Sequence, residues 1–378
     1  MKRSLSCDIT KRNLSNTISY DKTAYEIDGY IVFHAPFGRK DENAMRVGIF
    51  SNVRGGAARF APYVRPGRDD IELIGLPCEA ALDTMETVKK AKCEGLIYYS
   101  DHKEEEAFYQ ALAESGVKYV VTCSAGYDHL NIEAMKRYGI KGANVPRYSP
   151  NAISEHTVMI VLAILRKLRT QILRVEQSNF TTTGLQGREL RNMVVGIVGA
   201  GRIGYTTMQC LSGFHPKAIL AYDMYENDDV RRYASYVSLD ELYAKADVII
   251  FHCAYTKENY HMVNDEAIQA MKDGVVLVNS ARGPLFDTQA VLRGLDSGKI
   301  GALGIDVIEG EGALRKSSEA RKGVASDIRK LLSHENVIFT AHTAFYTDQA
   351  DHNLCETTIQ NLRQYAQTGL CDNELVCE

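Results

Sequence analysis

An α/β protein of two units, each built on a mainly parallel sheet, is the fold class this sequence predicts. Three observations predict it. From Met45 onward, short apolar runs alternate with helical stretches. A glycine turn, Gly199-Ala200-Gly201-Arg202-Ile203-Gly204, follows the apolar run Val194-Val195-Gly196-Ile197-Val198, and Asp223 stands nineteen positions beyond Gly204. The chain has 378 residues, enough for two ordinary domains with separate cores.

Residues 1–44 are polar and irregular, with one candidate strand at residues 30–33. The sequence leaves open whether this extension is a disordered arm, an interface segment or the product of an upstream start. Met45-Arg46-Val47-Gly48-Ile49-Phe50 opens the regular pattern as a first strand. Strands are predicted at 96–99, 119–122 and 143–145, and helices at 103–114 and 131–138. A long helix is predicted from Ser149 to about Arg169. Pro150 suits its first turn, where no N–H partner is lost, and Glu155 lies in an early turn. After the polar Thr181-Thr182-Thr183-Gly184 comes the glycine-turn unit. Its further strands are predicted at 248–251, 275–278, 304–307 and 337–340, with helices at 239–245, 265–271 and 288–295. Residues 348–367 read as a final helix.

Composition narrows the function classes. Hydrophobic residues make up 45% and charged residues 24%, as in a globular protein. A net charge of -4 gives no reason to expect nucleic acid or an anionic membrane as partner. No apolar run has the length of a membrane span, and Met1-Lys2-Arg3-Ser4 opens no secretory signal, so a cytoplasmic protein is expected. Nine cysteines at irregular spacing, without a CxxC, point to reduced thiols. No HExxH or grouped His/Cys pattern suggests a metal.

Each part of the glycine turn has a physical task. Gly199 permits the tight turn, Gly201 lets the backbone approach a pyrophosphate, and Gly204 lets the helix pack closely on the strand. The helix N-terminus then faces the phosphates with free N–H groups. Asp223, closing the next strand, can accept hydrogen bonds from a ribose 2′-hydroxyl and would repel a 2′-phosphate. No basic residue follows it directly, although Arg231 and Arg232 come later and could fold back. NAD is therefore expected rather than NADP. Arg202 and Ile203 in the turn, and His252 and Ala281 after later strands, are further candidates for cofactor contact.

Three polar residues stand after successive strands of the second unit: Arg282, Glu311 and His342. Strand ends line the crevice where open parallel sheets bind ligands. An arginine can hold a carboxylate by two parallel charge-assisted bonds. A histidine titrates near neutrality and can give or take a hydroxyl proton. A carboxylate beside it favours the imidazolium and fixes its tautomer. Together these groups suit reduction of a 2-keto acid. Singly, each has an ordinary explanation: a helix cap, a solvated acidic loop shared with Glu309, a structural histidine. Their joint position favours catalysis.

Over nearly all of residues 45–365 the sequence resembles the D-isomer-specific 2-hydroxyacid dehydrogenase family. The matching stretches are Gly199–Gly204 with Asp223, residues 279–287 around Arg282, Asp306-Val307 with Glu311, and His342-Thr343-Ala344. The resemblance implies a Rossmann NAD-binding domain, 147–342, inserted in a flavodoxin-like substrate domain, 45–146 plus 343–378, with 1–44 as an extension of unknown role. It implies Arg282, Glu311 and His342 as the catalytic residues; the family's glutamate lies 29 positions after its arginine, which selects Glu311 over Glu309. It implies Asp306 as the aspartate that holds the nicotinamide carboxamide. Within the family the likeness is greatest to D-lactate dehydrogenases, including the vancomycin-resistance type, through residues 144–152 and 342–347. That likeness places Tyr99, Tyr148, Phe345 and the backbone N–H groups of Ala125 and Gly126 beside the substrate. It also matches the long helix to a dimerisation element, so a homodimer is expected, unless Ile153, Val158, Val161, Leu162 and Leu165 serve only the core. Pyruvate is the expected substrate; a bulkier acid such as 2-ketoisocaproate or phenylpyruvate is the alternative. Some relatives are corepressors, so a non-catalytic NAD-sensing scaffold is the rival from another class. Ala341 and Ala254 replace common prolines, which would loosen their turns. Arg147 is unusual and reads as a surface charge, or as a contact to a second acidic group of the substrate.

Overall fold

A computed structural model of the chain describes residues 24–27, 30–33, 44–65, 70–100, 103–315 and 319–376. Most of the 1–44 extension, with Cys7 and Cys377, lies outside these residues. Two compact units emerge, Met1–Pro146 with Leu354–Glu378, and Arg147–Asn353.

The first unit carries β1 (Ala24–Ile27), β2 (Tyr30–Phe33), β3 (Met45–Ile49), β4 (Ile71–Gly75), β5 (Gly95–Tyr98), β6 (Tyr119–Thr122) and β7 (Lys141–Ala143). They form one sheet in the order β1-β2-β4-β3-β5-β6-β7. From β4 to β7 every pairing is parallel, and the order is that of a flavodoxin-like sheet. The strand expected at residues 30–33 is present as β2. It forms an antiparallel hairpin with β1 and pairs antiparallel with β4, so this part of the extension covers a sheet edge. Side chains alternate between two buried layers. Val47, Leu73, Ile97 and Val121 pack with Ile359, Leu362 and Tyr365 of the C-terminal helix Asp348–Thr368. Ile74, Leu96, Tyr98 and Val120 pack with Phe108, Tyr109 and Leu112 of the helix Glu106–Glu114.

The second unit carries β8 (Val194–Val198), β9 (Ala218–Tyr222), β10 (Ser235–Tyr236), β11 (Val248–Phe251), β12 (Val275–Asn279), β13 (Ile300–Ile305) and β14 (Val337–Phe339). All are parallel, in the order β10-β9-β8-β11-β12-β13-β14. This is the Rossmann order with one strand added, and its switch point lies between β8 and β11. β13 begins earlier than the residues 304–307 expected, because Ile300 pairs with Val275. Asp306 is thereby placed just past a strand end.

Two expectations change. The single helix from Ser149 to Arg169 is in fact two, Pro150–Leu165 and Leu168–Glu176. Lys167 breaks it in the left-handed region, φ 52°, with its Nζ donating to the Gly184 carbonyl at 2.7 Å. The Arg169 guanidinium draws the second helix aside, donating to the carbonyls of Leu332 at 2.7 Å and His334 at 2.7 Å. Residues 343–353, expected with the first unit, stay with the second. Asp306 holds Thr343 and Ala344 by their N–H groups, both at 2.9 Å, and Asn353 donates to the Tyr148 carbonyl at 2.5 Å. Ile153, Val158, Val161 and Leu165 are buried within the unit and Leu162 partly so.

Candidate active site

The glycine turn joins β8 to the helix Arg202–Ser212. Gly199 has φ 97°, and a Cβ there would collide with the backbone of Cys253 at the end of β11. A Cβ on Gly204 would collide with the Gly199 carbonyl. On Gly201 it would meet nothing within 4 Å. So two glycines close the turn upon itself and the middle one leaves the backbone open to an approaching group. The Asp223 carboxylate accepts the Ala200 N–H at 2.6 Å and the Tyr225 N–H at 3.1 Å, which fixes it at the rim of the turn. Arg231 is engaged by Glu226 and by Asp228 at 3.6 Å, and Arg232 by Asp229 at 3.2 Å. Those cations are matched within their own loop. His252 is tied to Thr207 of the glycine helix at 2.9 Å, and burial pushes its imidazole down to about 3, so it is neutral. These residues fit a dinucleotide: an open backbone amide turn, a helix of eleven residues behind it and a carboxylate at its edge.

The second constellation gathers after β12, β13 and β14. Asn279, buried at the end of β12, accepts the Ala281 N–H at 3.0 Å and donates to the Arg282 carbonyl at 2.9 Å. This folds the turn that presents Arg282, whose Nη1 donates to the Ala281 carbonyl at 2.9 Å. Gly283 permits that turn to touch the next loop: a Cβ would collide with the backbone of Ile308 and Glu309. In that loop Glu311 Oε2 accepts the Ile308 N–H at 3.1 Å, and Oε1 pairs with His342 Nδ1. Glu309 turns elsewhere, to Tyr260 at 3.0 Å and His261 at 2.8 Å.

His342 itself sits in the left-handed region at φ 52°. Such a backbone costs energy and persists where neighbours hold it. Here the holder is Asp306, only 1% exposed. Its carbonyl accepts the His342 N–H at 2.8 Å, and its carboxylate accepts Thr340 Oγ1 at 2.6 Å with the Thr343 and Ala344 N–H groups. Three of about four lone-pair positions are used, leaving capacity for one further donor such as an amide. Neither proline replacement leaves a loose turn. The chain after Ala341 is pinned by these bonds, and the Ala254 carbonyl accepts Asn259 Nδ2 at 2.7 Å.

Tyr148 is half-buried; burial pushes its phenol up to about 12, and the nearby Arg282 charge partly offsets this. The Phe345 ring stands edge-on to His342, centroids 6.2 Å apart. Arg147 is exposed, within electrostatic reach of Arg202. In the first unit, Tyr99 packs on His129 at 5.4 Å, and the Ala125 and Gly126 carbonyls accept Asn144 Nδ2 and Ser124 Oγ, both at 2.7 Å. Sequence reasoning gave no role to Asn279, Thr340, Ser280, His156 and Thr157, whose side chains hydrogen-bond around these loops. The available signal was a polar side chain placed where a strand or helix buries it. Among the described residues no group of three or more His, Cys, Asp and Glu is placed to hold a metal ion, and no helix is long and apolar enough to cross a membrane.

Comparison with known proteins agrees with this chemistry. The model of the D-isomer specific 2-hydroxyacid dehydrogenase NAD binding domain matches residues 158–344. An aromatic 2-oxoacid reductase of Clostridium sporogenes is 42% identical over 270 residues, covering 71% of this chain and 82% of that protein. A D-lactate dehydrogenase of Lactobacillus delbrueckii subsp. bulgaricus is 38% identical over 303 residues, covering 79% and 91%. Among solved structures, the pyruvate reductase of Chlamydomonas reinhardtii aligns with a TM-score of 0.77 at 32% identity, covering 88% of this chain and 99% of that one.

Proposed function

The chain belongs to the D-isomer specific 2-hydroxyacid dehydrogenase family and is an NAD-dependent oxidoreductase, and from that premise we propose that it reduces a 2-oxo acid to the D-2-hydroxy acid, pyruvate to D-lactate foremost. The observation that carries this reading is the pairing of Glu311 Oε1 with His342 Nδ1 on a loop that touches the Arg282 turn. With Nδ1 committed, Nε2 is the atom that gives a proton to the substrate's carbonyl oxygen. Glu311 holds the imidazole in that orientation. Arg282 takes the substrate carboxylate in its planar fork, and the Ala125 and Gly126 N–H groups are the substrate contacts proposed for the first unit. NAD, when bound, supplies the hydride received by the carbonyl carbon; the turn Gly199–Gly204 with Arg202 and Ile203, Asp223, His252, Ala281 and Asp306 would hold it. The balance is one 2-oxo acid, one NADH and one proton to one 2-hydroxy acid and NAD+.

Tyr99, Tyr148 and Phe345 are the rings that meet the substrate's own side chain in this reading. Bulky rings in these roles favour a small substrate side chain, as in pyruvate. A second reading, an aromatic 2-oxo acid, is supported by the 42% identity with a protein named for that activity. Steady-state kcat/KM with NADH for pyruvate, 2-ketoisocaproate and phenylpyruvate separates them. Pyruvate should lead, and Tyr99→Leu should shift preference toward the larger acids by about tenfold or more, since one methylene is worth about 1–3 kcal/mol in such a pocket. If the unmodified enzyme favours phenylpyruvate, the lactate assignment fails and the reaction class stands.

The protein is further proposed to be a homodimer. Leu168, Ile172 and Val175 recur on one face of the helix Leu168–Glu176, each at least 44% exposed, and Phe180 just beyond is 80% exposed.

A further inference from the structure

We propose that the helix Pro150–Leu165 is the strut that sets the two catalytic loops, with His156 and Thr157 as its positioning residues; this rests on the roles given above to Arg282 and His342. Neighbouring side chains of one helix reach separate loops. His156 Nε2 lies 3.1 Å from Thr340 Oγ1, before His342. Thr157 Oγ1 lies 2.7 Å from Ser280 Oγ, before Arg282. A third contact, Ser154 Oγ donating to the Ile203 carbonyl at 3.0 Å, ties the same helix to the glycine turn. Ser154 and Thr157 are fully buried, so these bonds form away from competing water.

Proton counting gives the bonds a direction. A hydroxyl has one hydrogen. Thr340 spends its hydrogen on the Asp306 carboxylate at 2.6 Å, an acceptor only, so His156 must donate from Nε2. That fixes the Nε2–H tautomer, in keeping with burial holding this imidazole toward its neutral form. The chain then runs His156 to Thr340 to Asp306, and Asp306 binds the backbone of 342, 343 and 344. Thr157 spends its hydrogen on the Ile153 carbonyl at 2.7 Å, so Ser280 must donate to it. Ser280 is followed by Ala281 and Arg282, whose turn Asn279 closes. Two distinct bonds therefore set two distinct functions. The His156 bond governs where the proton donor stands and belongs to the chemical step. The Thr157 bond governs where the carboxylate-binding arginine stands and belongs to substrate binding.

The two predict opposite kinetic signatures. His156→Leu removes the donor. It should lower kcat about tenfold with KM within about twofold, because misplacing a reacting group costs the step more than the binding. His156→Gln, whose amide nitrogen reaches the position of Nε2, should restore most of kcat, and His156→Asn, which keeps an amide but falls short, should not. Thr157→Val keeps the shape and deletes the acceptor. It should raise KM for the 2-oxo acid about tenfold with kcat within about twofold, and Thr157→Ser should repair it. NADH affinity by fluorescence titration should stay within about twofold of the unmodified protein throughout, a readout independent of turnover. Unmodified kinetics in His156→Leu and Thr157→Val, or parallel losses of kcat and KM that Gln and Ser do not repair, overturn the strut. Should His156→Leu not fold, the contrast between Gln and Asn decides the same point. His342→Gln keeps the two readings apart: if it retains kcat, the catalytic assignment falls. If it loses kcat while the strut variants do not, only the strut falls.

Discussion

Asp223 serves two ends at once. It braces the glycine turn through the Ala200 N–H, and in the proposed reading it also accepts a ribose hydroxyl. Asp223→Ala should weaken NADH binding and narrow the preference over NADPH, since both the acceptor and the repulsion of a 2′-phosphate are lost. Titration of the purified protein with each cofactor tests this; a native preference for NADPH would sink it. Glu311 is the second side chain to test, since its Oε1 pairs with His342 Nδ1. Under the proposed reading Glu311→Gln should lower kcat/KM for the 2-oxo acid by about tenfold or more while NADH affinity stays near native. Native kcat/KM in that variant would remove Glu311 from the histidine's working partners. At this scale the sequence singled out Asp223, Glu311 and His342 as candidates from their places after strands. It was silent on Thr340, Ser280, His156 and Thr157, because their bonds come from what a neighbouring element places within reach.

Most strands and helices were legible from periodicity: β6 and β11, and the helix Leu239–Lys245, fall where the pattern put them. β4 was not, because Glu72 interrupts a five-residue run, and its carboxylate meets Arg46 of the neighbouring strand at 3.2 Å. The helix Glu319–Ser333 was likewise passed over among its many charged residues. The break at Lys167 also escaped, since a lysine in the left-handed region is sustained by tertiary bonds to Gly184 and by Arg169. Gly283 shows how one position couples two elements. Gly283→Ala would press on the backbone of Ile308 and Glu309. Overpacking of this kind costs about 1–3 kcal/mol. The melting temperature should fall, and kcat/KM should fall further than stability explains, because the Arg282 turn and the Glu311 loop shift together. A variant with native kcat/KM would show that the loops do not need this contact.

At the scale of the whole molecule, the apolar face of Leu168, Ile172 and Val175 is one that a single chain leaves exposed. Ile172→Glu should turn a dimer into a monomer in sedimentation velocity while leaving NADH binding within about twofold, as a surface substitution away from the nucleotide turn should. A native protein that sediments as a monomer at micromolar concentration would end the dimer reading. The C-terminal helix adds a second lesson: Ile359, Leu362 and Tyr365 complete the core around β3 and β5, although some two hundred residues of another unit intervene.

The sequence by itself determined the α/β class and NAD as the cofactor, because strand periodicity and glycine stereochemistry are local properties of the chain. Tertiary structure alone decided that the extension's strands pair onto the sheet edge at β4, that Tyr260 and His261 engage Glu309, and that residues 343–353 stay with the second unit. Each of those outcomes depends on a partner distant in sequence: an open sheet edge at β4, the Tyr260–His261 pair, and the buried carboxylate of Asp306.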